Sequence, residues 1–116
     1  MKRALAVTVL LIGITAGCRQ APQVVLGKAP AADPIIPVAS ISYTSHRPQT
    51  IRGTMVEKCP IAGCWFRVKD ASGIVKVDTR SAGFVVTDVP LNSEVVVTGV
   101  PHTGGETTIA ATGMSY

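Results

Sequence analysis

The sequence predicts an all-β domain in its C-terminal half, a small five-stranded barrel that follows an export signal and a Pro/Ala-rich linker. Three observations predict it. From Thr50 onward the chain turns to β-branched residues punctuated by turn signals at spacings that suit a small all-β domain. Before that point, Pro22, Pro30, Pro34, Pro37 and Pro48 lie among alanines and small polar residues with no sustained helical period. The chain opens on an apolar run behind a basic start. At 116 residues there is room for one compact core.

The start reads Met1-Lys2-Arg3, and Ala4 to Ala16 is apolar apart from Thr8, Gly13 and Thr15. That run is too short for a permanent membrane span and has the form of a secretion signal. It ends Ile14-Thr15-Ala16-Gly17-Cys18, which resembles the lipobox of bacterial lipoproteins. The resemblance implies cleavage after Gly17, acylation of Cys18 and a membrane held through the lipid. Arg19 follows the cysteine rather than the Asp linked to inner-membrane retention, so the resemblance favours the outer membrane facing the periplasm in a Gram-negative cell. The expected divisions are residues 1–17 as signal, 18–49 as lipidated N-terminus and linker, and 50–116 as barrel.

Proline fixes φ and favours extended backbone, so residues 19–49 are expected to act as a semi-flexible spacer. Ile35-Ile36-Pro37-Val38 and Ile41-Ser42-Tyr43 are apolar clusters within it, and whether they pack on the domain is left open.

The predicted strands are Ile51 to Lys58, Cys64 to Lys69, Ile74 to Thr79, Glu94 to Val100 and Thr107 to Met114. Asp70-Ala71-Ser72-Gly73 reads as a hairpin turn, Pro101 to Gly105 as another, and Arg80 to Asn92 as a longer connection crossing one end of the barrel. The runs Ile51-Arg52-Gly53-Thr54-Met55-Val56, Cys64-Trp65-Phe66-Arg67-Val68-Lys69-Asp70, Gly73-Ile74-Val75-Lys76-Val77 and Val95-Val96-Val97-Thr98-Gly99-Val100 together resemble an OB-fold. The resemblance covers roughly the last 65 residues. With the Cys-x4-Cys-Trp hairpin, the chain is also similar to small exported bacterial proteins of unknown function.

Cys59 and Cys64 bracket Pro60-Ile61-Ala62-Gly63 at the join of the first two predicted strands, which brings two sulfurs close. In an oxidising compartment the simplest outcome is a disulfide. The alternative is a pair of thiols for a soft metal such as Cu(I), with Met55 or Met114 as further ligands, because two cysteines are two ligands short of a closed zinc site. No cofactor is otherwise implied. Trp65 and Phe66 are adjacent on one strand and must point to opposite faces. With Phe66 and Val68 inside, Trp65, Arg67 and Lys69 form an exterior row that Lys76 joins from the next strand. That row is the candidate binding face, and covering of Trp65 by the Pro-rich segment is the competing reading.

Net charge says little by itself. Losing Lys2 and Arg3 with the leader lowers the formal charge from +4 to +2, and from Gln49 to Tyr116 six basic residues meet six acidic ones. Counterion release has little to work with, so oligonucleotide binding by OB-fold analogy ranks low. His46 falls in the linker and His102 in a turn, and no catalytic constellation can be placed on neighbouring elements. The expectation is a membrane-anchored, non-enzymatic module of the cell envelope that binds a protein, peptide or glycan. Metal handling through Cys59 and Cys64 is the alternative.

Overall fold

The computed structural model describes residues 24–116. The expected export signal and the expected lipidation site at Cys18 lie outside the described residues. Six strands are present: β1 (Val25–Gly27), β2 (Gln49–Lys58), β3 (Trp65–Asp70), β4 (Gly73–Asp78), β5 (Glu94–His102) and β6 (Thr108–Ser115). Two short 3-10 turns, Val38–Ser40 and Arg80–Ala82, complete the regular structure. There is no α-helix among the described residues.

Strands β2 to β6 close into a five-stranded barrel of OB-fold type. β2 pairs antiparallel with β5 through its first half and with β3 through its second. The long strand therefore serves two sides of the barrel. Gly53 sits at the handover, where a side chain would come within 2.5 Å of the Lys69 carbonyl, so only glycine lets the two strands approach this closely. β3 and β4 form a hairpin, β5 and β6 a second antiparallel pair, and a short parallel pairing of β4 with β6 completes the circle.

Alternation of side chains drives this closure. Ile51 and Met55 of β2, Phe66 and Val68 of β3, Val75 and Val77 of β4, Val95 and Val97 of β5, and Ile109, Ala111 and Met114 of β6 all fill the interior. Burying each of the larger ones contributes roughly 1.5–3 kcal/mol. The connection from β4 to β5 adds Val86 and Val89 as a plug, and Lys58 Nζ holds it by donating to the carbonyls of Thr87 at 3.0 Å and Val89 at 2.6 Å.

The Pro-rich segment does not stand off from the barrel within the described residues. β4 pairs with β6 only at Thr108 to Ala110, which leaves the same edge of β6 open further along. β1 takes that edge, pairing with Gly113 to Ser115, because an extended chain with unpaired amides and an unpaired strand edge satisfy each other. Further on, Ile36 N donates to Thr50 O at 2.9 Å, and Val38 and Ile41 join the core cluster. The apolar clusters of the segment are thus docked, and residues 24–49 are a belt rather than a spacer.

Candidate binding face

The alternation that buries Phe66 and Val68 leaves Trp65, Arg67 and Lys69 on the outer surface of β3. Lys76 stands opposite Arg67 in the hairpin register, and Asp78 opposite Trp65. The Trp65 ring is half-buried beneath two cations, Arg67 at 5.1 Å and Lys76 at 5.2 Å from its centroid. A positive charge over an aromatic face is attracted by the ring quadrupole. The hydrogen bonds of the Pro-rich segment to this hairpin fall at its other end, from Val38 N to Asp70 and from Ala39 N to Ser72. Over the ring itself lie Arg67 and Lys76, its neighbours on the sheet.

Two carboxylates brace the cations. Arg67 Nη1 meets Glu57 of β2 at 3.0 Å, and Arg67 Nη2 donates to Glu106 Oε1 at 3.0 Å. The other oxygen of Glu106 lies 3.7 Å from Lys76 Nζ. The Arg67 bond holds the Glu106 carboxyl below its ordinary range, and the Arg67 guanidinium is raised in return. Asp78 is likewise held low, first by the hydrogen bond from Arg80. Lys69 stays exposed, across from Ile74, and has no part in this network.

Of the four residues expected to form the face, the structure brings Trp65, Arg67 and Lys76 into one cluster and leaves Lys69 at its margin. Glu57 and Glu106 are members of the cluster that sequence reasoning missed. The signal for Glu106 was its place in the loop between the last two strands, since OB-folds border their binding face with that loop and with the loop joining the first two barrel strands.

That second loop carries the cysteines. Cys59 and Cys64 are both half-buried free thiols, so the expected disulfide is not formed in this structure. Cys59 N donates to Trp65 O at 3.0 Å, and Thr79 N donates to Cys64 O at 2.9 Å. The amides of Ala62 and Ile61 lower the Cys59 thiol to about 7. Met55 and Met114, considered as further metal ligands, are fully buried in the barrel interior and play a packing role instead. No group of three or more His, Cys, Asp or Glu suited to a metal ion occurs among the described residues. His46 and His102 are exposed.

Two grooves lie elsewhere. One of about 450 Å³ runs between Ile35, Pro37, Arg52 and Asp70, and one of about 440 Å³ between Lys28, Ser81 and Thr112. Both follow the docked belt, and neither includes Trp65.

Among solved structures, the hypothetical protein YgiW from E. coli is similar, with a TM-score of 0.50 and 24% identity over 73% of this chain and 91% of that chain. At that identity the likeness speaks for the fold, a small OB-fold-like barrel. No protein-family model matches the chain, and no curated protein matches it.

Proposed function

We propose that this protein is a non-enzymatic binding module of the cell envelope, anchored through lipid on Cys18, that recognises its ligand on the face around Trp65. The observation that carries the reading is the half-exposed Trp65 ring beneath Arg67 and Lys76, set between the two loops that border OB-fold binding faces. An aromatic ring with adjacent guanidinium and ammonium groups offers stacking and hydrogen-bond donors to a peptide or a glycan. Oligonucleotide binding stays low in rank, because from Gln49 to Tyr116 six basic residues are balanced by six acidic ones and counterion release has little to work with.

The test is crosslinking in the intact envelope from a photoreactive residue at Lys69, at the rim of the face. A discrete adduct that disappears with Trp65→Ala supports the reading. Adducts unchanged by Trp65→Ala remove this face from consideration.

A second reading, soft-metal handling, is favoured by the low pKa of Cys59, since the thiolate is the form that ligates. A metal such as Cu(I) would take both thiols and complete its shell from a partner. Protein isolated without reductant would then carry metal on two reduced cysteines. A metal-free Cys59–Cys64 disulfide argues against it.

A further inference from the structure

The Trp65 face is layered. Trp65 lies innermost, Arg67 and Lys76 cover its ring with side chains 28% and 27% exposed, and the Glu106 side chain lies outermost at 54%. Glu106 comes from the loop between β5 and β6, whose residues 103–107 are all exposed. Within this loop Gly104 and Gly105 have open space where a side chain would project, and Gly105 adopts φ +101°, a conformation that favours glycine. The loop is held by the Glu106 carboxylate on the two cations and by the Thr108 hydroxyl donating to the Glu106 carbonyl at 2.9 Å. Exposed ion pairs of this kind are weak and exchange readily with other anions.

Building on the face proposed above, we infer that Glu106 is an internal stand-in for the ligand, and that the ligand carries a carboxylate which displaces it from Arg67 and Lys76. Glu57 remains on Arg67 throughout and keeps the guanidinium aimed. With Nη1 of Arg67 kept by Glu57, its Nη2 is left to donate to one carboxylate oxygen while the Lys76 ammonium attracts the other. The Glu106 carboxylate already spans these two groups with its two oxygens, so it marks where the incoming oxygens belong. The two glycines let the loop swing clear without disturbing β5 or β6. The carboxylate can belong to a sugar acid or to an acidic peptide, and the experiment separates these.

Trp65 is the only tryptophan in the chain, so its emission reports on this site alone. Trigalacturonate and triglutamate are titrated at low salt into the wild-type protein, Glu106→Gln and Arg67→Gln, with cellotetraose as a neutral probe. Glu106→Gln keeps the shape of the side chain and removes the competing charge. The expected result is a Trp65 response to one of the two acids, tightened up to about fivefold in Glu106→Gln and weakened at least about tenfold in Arg67→Gln. Whichever acid responds identifies the source of the carboxylate. Acid binding that is unchanged or weaker in Glu106→Gln overturns the displacement. Response to cellotetraose without response to either acid overturns the carboxylate and leaves the Trp65 face standing. Silence from all three probes in both wild type and Glu106→Gln also overturns it, while the Lys69 crosslink decides the fate of the face independently.

Discussion

The Val38 amide donates to Asp70 Oδ2 at 2.8 Å, joining the Pro-rich belt to the turn of the β3–β4 hairpin. The other oxygen of Asp70 accepts from Ser72 N at 2.7 Å, Ser72 Oγ at 2.6 Å and Gly73 N at 3.1 Å. One carboxylate therefore organises a turn and clamps a distant segment. Asp70→Ala is expected to lower stability by roughly 1–3 kcal/mol, in line with the loss of hydrogen bonds to a charged group. Urea denaturation gives the magnitude. Hydrogen exchange should show the Val38 amide losing protection in the variant, and unchanged protection there would mean that the belt is held by Val38 and Ile41 packing alone.

The same carboxylate contributes to acid sensitivity. Burial alone would raise Asp70, yet the hydrogen bonds from Ser72, Val38 and Gly73 bring it below its ordinary value. Asp78 is lowered by Arg80, and Glu106 by Arg67. A carboxyl depressed in the folded state contributes stability that is fully present above its unfolded pKa and is lost as pH falls through its folded pKa. Melting temperature should therefore hold level down to the ordinary carboxylate range and then fall. Asp70→Asn and Asp78→Asn should each flatten that fall. An acid limb in both variants that is unchanged from the wild type would place the loss in other groups.

Much of the barrel was legible because strand alternation is local. Phe66 inside and Trp65 outside follow from adjacency on one strand, and Arg67 and Lys76 follow from the same count across a tight turn. Glu57 was not legible for a specific reason. Counting by twos from the buried Met55 puts Glu57 inside, but the register shifts between Met55 and Glu57, with Val68 opposite the former and Arg67 opposite the latter. The bulged Val56 turns Glu57 outward to Arg67. β1 was illegible for another reason. Three residues carry no period, and what makes them a strand is the free edge of β6, which lies nearly 90 residues away in sequence.

Adjacent residues on β3 should separate stability from recognition. Phe66 is fully buried, so Phe66→Ala is expected to destabilise by about 3–5 kcal/mol. Trp65→Ala removes a ring that lies outside the core cluster, and its stability loss should be under about 1.5 kcal/mol. Chemical denaturation of the two variants provides the comparison. A loss for Trp65→Ala as large as that for Phe66→Ala would make the ring a structural element.

Cys59 should be the more reactive thiol of the reduced protein. The amides of Ala62 and Ile61 point to its sulfur and bring its pKa to about 7, so near neutral pH about half is thiolate. Iodoacetamide labelling followed by peptide mass analysis is expected to show Cys59 modified with a midpoint near pH 7. Ala62→Pro removes the leading donor and should move that midpoint up toward the ordinary thiol range near 8.5. An unshifted midpoint in Ala62→Pro would assign the effect to another group. Protein isolated without reductant that resists labelling until reduced would show that the pair is oxidised in its compartment.

The belt changes what the proposed anchor does. Cys18 lies six residues before Val24, whose amide donates to Tyr116 O at 2.9 Å at the edge of β6. A chain of that length reaches at most about 22 Å, so lipid on Cys18 would keep the barrel close to the bilayer rather than extended from it. Each buried methylene adds about 0.8 kcal/mol of membrane affinity, and several chains together make release negligible. Cys18→Ala is expected to abolish fatty-acid incorporation and to leave an uncleaved precursor or protein cut elsewhere that fractionates partly as soluble. The barrel should keep its melting temperature within about 2 °C, because the described core includes nothing before Val24. Metabolic labelling with radioactive palmitate and membrane fractionation measure both arms. Wild-type protein that takes up no label and is recovered from the soluble periplasm would show that Cys18 is not an anchor.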